Sequence, residues 1–252
     1  MTGERIGAAI RSRNASGDPA LVAFLTAGYP SRDRFLDDLR AIAAHADVVE
    51  IGVPFTDPMA DGVTIQRATH AALRSGVTLG WILEQVADAR AEVPLLLMSY
   101  LNPLLAFGLP RLARFAARAG ISGFIVPDLP LEECDSVRSA FGEEGLALVQ
   151  MVTPVTPEER LRKLCAASGG FVYAVTMTGT TGRNVAVPEE VVRYLDRVRA
   201  AATLPVCAGF GIRDPEQVRR LRGHVDGVIV GSALVEALER GEDPGEFLRS
   251  LR

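Results

Sequence analysis

Short apolar runs rich in Val, Ile, Leu and Ala recur along the chain, and between them lie longer stretches whose apolar residues return every third or fourth position. The first pattern fits strands buried on both faces, and the second fits helices with one apolar side. The runs at 21–26, 48–52, 95–99, 123–126, 147–151, 171–175, 204–208 and 227–230 predict strands. The stretches at 32–44, 63–75, 79–91, 110–119, 131–142, 157–167, 188–201 and 215–221 predict helices. Pro110, Pro157 and Pro215 stand near first helical turns, where a missing N–H costs nothing, with Thr156 and Asp214 placed to cap. The alternation runs to the C-terminus without a linker. It predicts a parallel sheet covered by helices, and eight such units in this length fit a (β/α)8 TIM barrel filling residues 1–252 as one domain. A doubly wound sheet is the second choice. Leu25-Thr26-Ala27-Gly28-Tyr29-Pro30, after the first strand, lacks the GxGxxG of a dinucleotide-binding turn.

A barrel collects its chemistry at the C-terminal ends of its strands. There, Glu50 interrupts the apolar run Val48-Val49-Glu50-Ile51-Gly52, and Asp61 follows it across a proline-rich turn. A buried ionisable group costs several kcal/mol unless paired or neutralised, so Glu50 either holds an Arg partner or does chemistry. The second acid and the rigid turn favour chemistry. Asp61-Gly62 precedes the predicted helix at Val63, so Asp61 also reads as an N-cap, a role compatible with ligand contact.

Two glycine-bearing loops follow the seventh and eighth strands: Gly209-Phe210-Gly211 and Gly231-Ser232. Either alone reads as a tight turn. Together, with a helix beginning near Ser232, they suggest backbone N–H groups and a helix N-terminus cradling a phosphate. The Gly/Thr-rich stretch 176–184, which includes Thr181 and Gly182, is too long for a simple connection and reads as a lid; an unstructured surface loop is nearly as good a reading.

Composition narrows the partners. Net charge is −4 with scattered Arg, which offers no electrostatic footprint for nucleic acid or an anionic membrane; Arg219, Arg220 and Arg222 read as a solvated helix end. No apolar run reaches membrane-spanning length. Cys134, Cys165 and Cys207 lack CxxC spacing and sit in apolar surroundings, as expected of reduced core thiols in a cytoplasmic protein. His45, His70 and His224 show no HxH or HExxH spacing, so metal catalysis is not expected. Trp81 reads as packing.

The segment Glu50-Ile51-Gly52-Val53-Pro54-Phe55-Thr56-Asp57-Pro58-Met59-Ala60-Asp61-Gly62 closely resembles the α subunit of tryptophan synthase. The motifs at 24–30, 64–66, Asn102-Pro103, 125–130, 179–182, 209–211 and 231–232 fall in that family's order. The resemblance implies a barrel that cleaves indole-3-glycerol phosphate to indole and glyceraldehyde 3-phosphate without a cofactor. It implies Glu50 as the acid–base group and Asp61 as acceptor from the indole N–H. It places Phe24 and Tyr173 around the indole, Gly182, Gly209, Phe210, Gly211, Gly231 and Ser232 at the phosphate, and Thr181 beside them among the substrate-binding residues. An apolar surround would raise the pKa of Glu50, and a solvated Asp61 would stay ionised.

The same resemblance implies a β-subunit partner in an α2β2 heterotetramer, with pyridoxal phosphate confined to that partner. Tyr29, Val63 and the lid's Met177-Thr178-Gly179-Thr180 depart from the family's usual residues, which bears on coupling to the β subunit. Rival readings are a stand-alone indole-glycerol-phosphate lyase, a weakly active allosteric barrel, and a sugar-phosphate isomerase or epimerase. The last leaves the segment from Glu50 to Asp61 without a purpose.

Overall fold

In a computed structural model, which describes residues 2–176, 187–209 and 211–252, all eight predicted strands form and close into a barrel in chain order. The strands are β1 (Ala20–Thr26), β2 (Val48–Gly52), β3 (Leu95–Met98), β4 (Ile121–Ile125), β5 (Ala147–Val152), β6 (Val172–Val175), β7 (Val206–Gly209) and β8 (Gly227–Val230). Every neighbouring pair is parallel, and β1 returns to β8 through Ala20 opposite Gly227.

Parallel strands wrapped by helices are buried on both faces, and these strands are apolar nearly throughout. Alternation decides which face each residue serves. Val22, Val48, Leu96, Ile125, Val149, Tyr173, Cys207 and Ile229 pack together inside the barrel. Leu21, Ala23, Val49, Ile51, Leu97, Phe124, Val172 and Val228 join the larger layer beneath the helices. Phe24 pairs in register with Glu50, two residues beyond Val22 and Val48, so by the same alternation both belong to the interior at its upper end.

The helices are α1 (Thr2–Asn14), α2 (Phe35–Ala43), α3 (Val63–Arg74), α4 (Leu79–Ala89), α5 (Leu101–Phe107), α6 (Leu109–Arg118), α7 (Asp135–Glu143), α8 (Glu158–Ala167), α9 (Glu189–Ala201), α10 (Pro215–Leu221), α11 (Ser232–Glu239) and α12 (Pro244–Ser250). Asp214 caps α10 by accepting from the Gln217 N–H at 2.9 Å, with Pro215 in the first turn. Thr156 does not cap α8. Pro157 occupies that position, while the Thr156 hydroxyl turns back to accept from the Thr153 N–H. The predicted helix at 131–142 divides into a 3₁₀ turn, Leu131–Glu133, and α7.

Helix α1, absent from the sequence reading, places Ile6 and Ile10 into the interior cluster and so closes the end opposite the strands' C-termini. Burying each of those side chains contributes roughly 1.5–3 kcal/mol. The three cysteines are free and buried. Among the described residues, no helix is long and apolar enough to cross a membrane.

Candidate functional site

Glu50 lies third among the five residues of β2 rather than at the strand's end, and its side chain is fully buried. Neither carboxylate oxygen has a hydrogen-bond partner among the described residues, and the structural ion pair that rivalled catalysis is absent there. With nothing to offset its desolvation, burial pushes the carboxyl up to about 8, so the group carries a proton at neutral pH. An unpartnered acid is an expensive feature in a core, and its position inside a closed barrel leaves it facing the others that converge there.

Asp61 reaches the same region from the loop after β2. It lines a cavity with Phe24, Gly52, Ile65, Met98, Tyr100 and Pro127, which come from β1, β2, α3 and the ends of β3 and β4. The Tyr100 hydroxyl donates to Asp61 Oδ2 at 3.1 Å and accepts from the Ala60 N–H at 2.8 Å, fixing the loop on the cavity's rim. Asp61 does not cap α3: Gly62 occupies the N-cap, without a side-chain cap bond. Asp61 is partly buried rather than fully solvated. Burial raises its pKa, and the Tyr100 hydrogen bond offsets only part of that rise. The two acids are therefore displaced in the same direction, Glu50 by an unrelieved environment and Asp61 by one containing a donor.

Tyr173, in the interior cluster rather than the lining of that cavity, links the two acids. It is buried on β6, and its hydroxyl is pushed up first by burial and then by the charges of Glu50, Cys207 and Asp61, which places both acids within electrostatic reach of one ring. Two glycines make room for the aromatic walls. A Cβ on Gly209 would meet the Tyr173 ring at 2.5–2.7 Å, and one on Gly52 would meet the Phe24 ring at 2.5–2.8 Å. Both are closer than side-chain packing tolerates.

Gly209 thus ends β7 against Tyr173, while Gly211 turns the following loop at φ +87°, a conformation glycine adopts without strain. On the next strand, Gly231 precedes α11, whose first turn begins at Ser232 with no side-chain cap, leaving its N–H groups open to an anion. Thr181, Gly182 and Phe210 lie outside the described residues, as does the lid stretch beyond Thr176. Sequence reasoning gave Tyr100, Ile65 and Met98 no role, although Met98 and Tyr100 fall among the strand ends and Ile65 in the motif at 64–66. Their only signal was position, at the end of β3 and in the first turn after Asp61.

A family model described as "Tryptophan synthase alpha chain" matches residues 10–250. The chain belongs to that family. A tryptophan synthase alpha chain from Nitratidesulfovibrio vulgaris (strain DP4) is 44% identical, covering 99% of this chain and 98% of the relative. That of Carboxydothermus hydrogenoformans is 44% identical over 93% of this chain and 89% of its own. Among solved structures, tryptophan synthase from M. tuberculosis in a ligand-free form superposes with a TM-score of 0.88 at 35% identity, covering 98% and 99% of the two chains. The alpha subunit from Legionella pneumophila str. Paris gives 0.89 at 33% identity, covering 98% and 97%.

Of the departures from the family's usual residues, two have visible settings. Tyr29 is buried against Phe24, Ile65 and Val235 and meets Arg67 and Glu239 through its hydroxyl. Val63 is 77% exposed at the start of α3. A larger hollow, lined by Asp128, Leu131, Gln150, Thr156 and Arg160 between β4, β5 and α8, touches the site only through Pro127 and contains neither acid.

Proposed function

We propose that Glu50, buried and protonated, is the group through which this member of the tryptophan synthase α family carries out its reaction, the lyase cleavage of indole-3-glycerol phosphate to indole and glyceraldehyde 3-phosphate. The observation that carries the assignment is the pair of unpartnered Glu50 oxygens in the barrel interior, with the Tyr173 ring in electrostatic reach of both Glu50 and Asp61.

Cleaving the carbon–carbon bond requires a proton on indole C3 and removal of the proton from the adjacent side-chain hydroxyl. Glu50 enters as the acid and protonates C3, which leaves positive charge on the ring nitrogen. Asp61 accepts from the indole N–H and stabilises that charge. As a carboxylate, Glu50 then takes the hydroxyl proton. The oxygen lone pair forms the aldehyde carbonyl, the carbon–carbon pair restores the indole π system, and Glu50 ends as it began. Phe24 and Tyr173 hold the flat ring, and Gly211, Gly231 and the open N–H groups at Ser232 receive the phosphate.

No step calls on a metal or organic cofactor. We assign pyridoxal phosphate to the β partner: Lys163, the only lysine in the sequence, lies exposed on α8 in an ion pair with Glu159 and outside the lining of the Asp61 cavity. End-to-end similarity to α chains supports the subunit reading over a stand-alone lyase, and α2β2 is the proposed assembly. Biosynthetic chemistry and three free thiols fit the cytoplasm.

An indole-release assay on the purified chain tests the roles. Glu50→Gln is expected to lower kcat/KM by about 10²-fold or more, a typical effect of removing an acid–base group, and Asp61→Asn by about 10²-fold, typical of removing a group that stabilises developing charge. Retained turnover in Glu50→Gln removes Glu50 from the chemistry.

A further inference from the structure

One carboxylate outside the cavity ties together three segments that the site needs. Glu236 sits on α11, four residues after Ser232 and so one turn below the phosphate end of that helix. Its Oε1 accepts from the hydroxyl of Thr64, a buried residue in the first turn of α3 and three positions after Asp61. Arg213, two residues beyond Gly211, grips the same carboxylate with two hydrogen bonds, Nη1 to Oε2 at 2.7 Å and Nη2 to Oε1 at 3.2 Å. The Arg213 N–H is itself held by the Gln217 side chain at 2.7 Å. Glu236 thereby joins the Asp61 loop, the Gly211 loop and the helix that begins at Ser232. One turn along, Arg67 of α3 binds Glu239 of α11 at 2.5 Å.

The two outer contacts of the substrate lie at opposite ends of this bridge: the indole N–H at Asp61 and the phosphate at the β7 and β8 loops. We propose that Glu236 is a positioning residue that fixes the spacing between Asp61 and the phosphate cradle, without touching substrate. This rests on the roles given above to Asp61, Gly211 and Ser232. The physical basis is that a ligand anchored at both ends presents its reacting bond correctly only if the anchors hold their separation, and small misplacements cost large factors in rate. Charge argues against a direct role. Arg213 is the main cause holding the Glu236 carboxyl below the usual carboxylate range, so it stays an anion matched to that guanidinium rather than a proton donor.

A positioning role has a signature that simple destabilisation lacks: each half of the substrate binds normally while the joined substrate reacts poorly. Glu236→Ala is expected to lower kcat/KM for indole-3-glycerol phosphate about tenfold, while dissociation constants for indole alone and for inorganic phosphate alone, measured by calorimetry on the full chain, change less than about twofold. Glu236→Gln, whose amide oxygen still accepts from Thr64 and Arg213, is expected to recover most of the loss. Should Glu236→Ala fail to fold, the near-isosteric Thr64→Val carries the test with a smaller loss of the same kind. Unchanged kcat/KM, or loss of affinity for the separate halves in parallel with turnover, overturns the proposal. Asp61→Asn, run beside these, separates the failures: if it keeps full turnover the underlying site assignment is wrong, and if it is inactive while the Glu236 and Thr64 variants match wild type, only the positioning role is wrong.

Discussion

Glu50 sets the terms at the residue scale, because the feature proposed to make it an acid at neutral pH also makes it costly to the fold. Its folded-state value of about 8 lies above the ordinary 4.5, so between those values the folded chain keeps a proton that the unfolded chain has released. Stability therefore falls as pH rises through that window, by about 5 kcal/mol in total at roughly 1.4 kcal/mol per pKa unit. Glu50→Gln removes the dependence. Thermal unfolding across the window should show the variant gaining on wild type as pH rises, with the difference levelling off above pH 8. Parallel curves would mean that Glu50 is not held protonated. The burial of Glu50 was legible in the sequence from one acid inside an apolar run. The surroundings of Asp61 were not, since they depend on Tyr100, whose arrival from another strand no local pattern announces.

Elements were easier to read than environments. Continuous apolar runs separated by helical periodicity fixed the strand count and the barrel, because strands buried on both faces leave no polar alternation to confuse them. Helix α1 escaped because it precedes the first strand, outside the repeating unit, and its contribution to the interior is a narrow stripe of two isoleucines among charged and small residues. The glycines at the ends of the strands were recognised, but Gly209 was read only through its loop. In the fold its missing side chain is what admits Tyr173 at the end of β7. Gly209→Ala should displace that ring, cost about 1–3 kcal/mol of stability as other overpacked sites do, and raise KM for indole-3-glycerol phosphate. Steady-state kinetics with thermal unfolding checks both effects, and a variant unchanged in each would place the ring elsewhere in solution.

At the scale of the whole molecule, the exposed large apolar side chains are unevenly placed. Met59, Val63, Leu105 and Val155, between 50% and 81% exposed, all follow the C-terminal ends of β2, β3 and β5; Phe115 on α6 is the other large one among the described residues. Apolar surface gathered at the face that also holds the site fits a partner docking over it. Leu105→Asp and Val155→Asp should leave unaided indole release intact while weakening association with the β subunit about tenfold each, the loss expected for removing one to two kcal/mol of buried apolar contact. Titration of β subunit into the variants measures this, and unaltered affinity would move the interface elsewhere.

All of this depends on one proton held inside the barrel. Its most direct test is the pH profile of kcat/KM for indole release by the purified chain, which reports the essential groups of the free enzyme. The acid at position 50 predicts a fall of one decade per pH unit above about 8, with an acidic limb displaced upward from the usual carboxylate range by the burial of Asp61. A rate that stays level well into the alkaline range would contradict it.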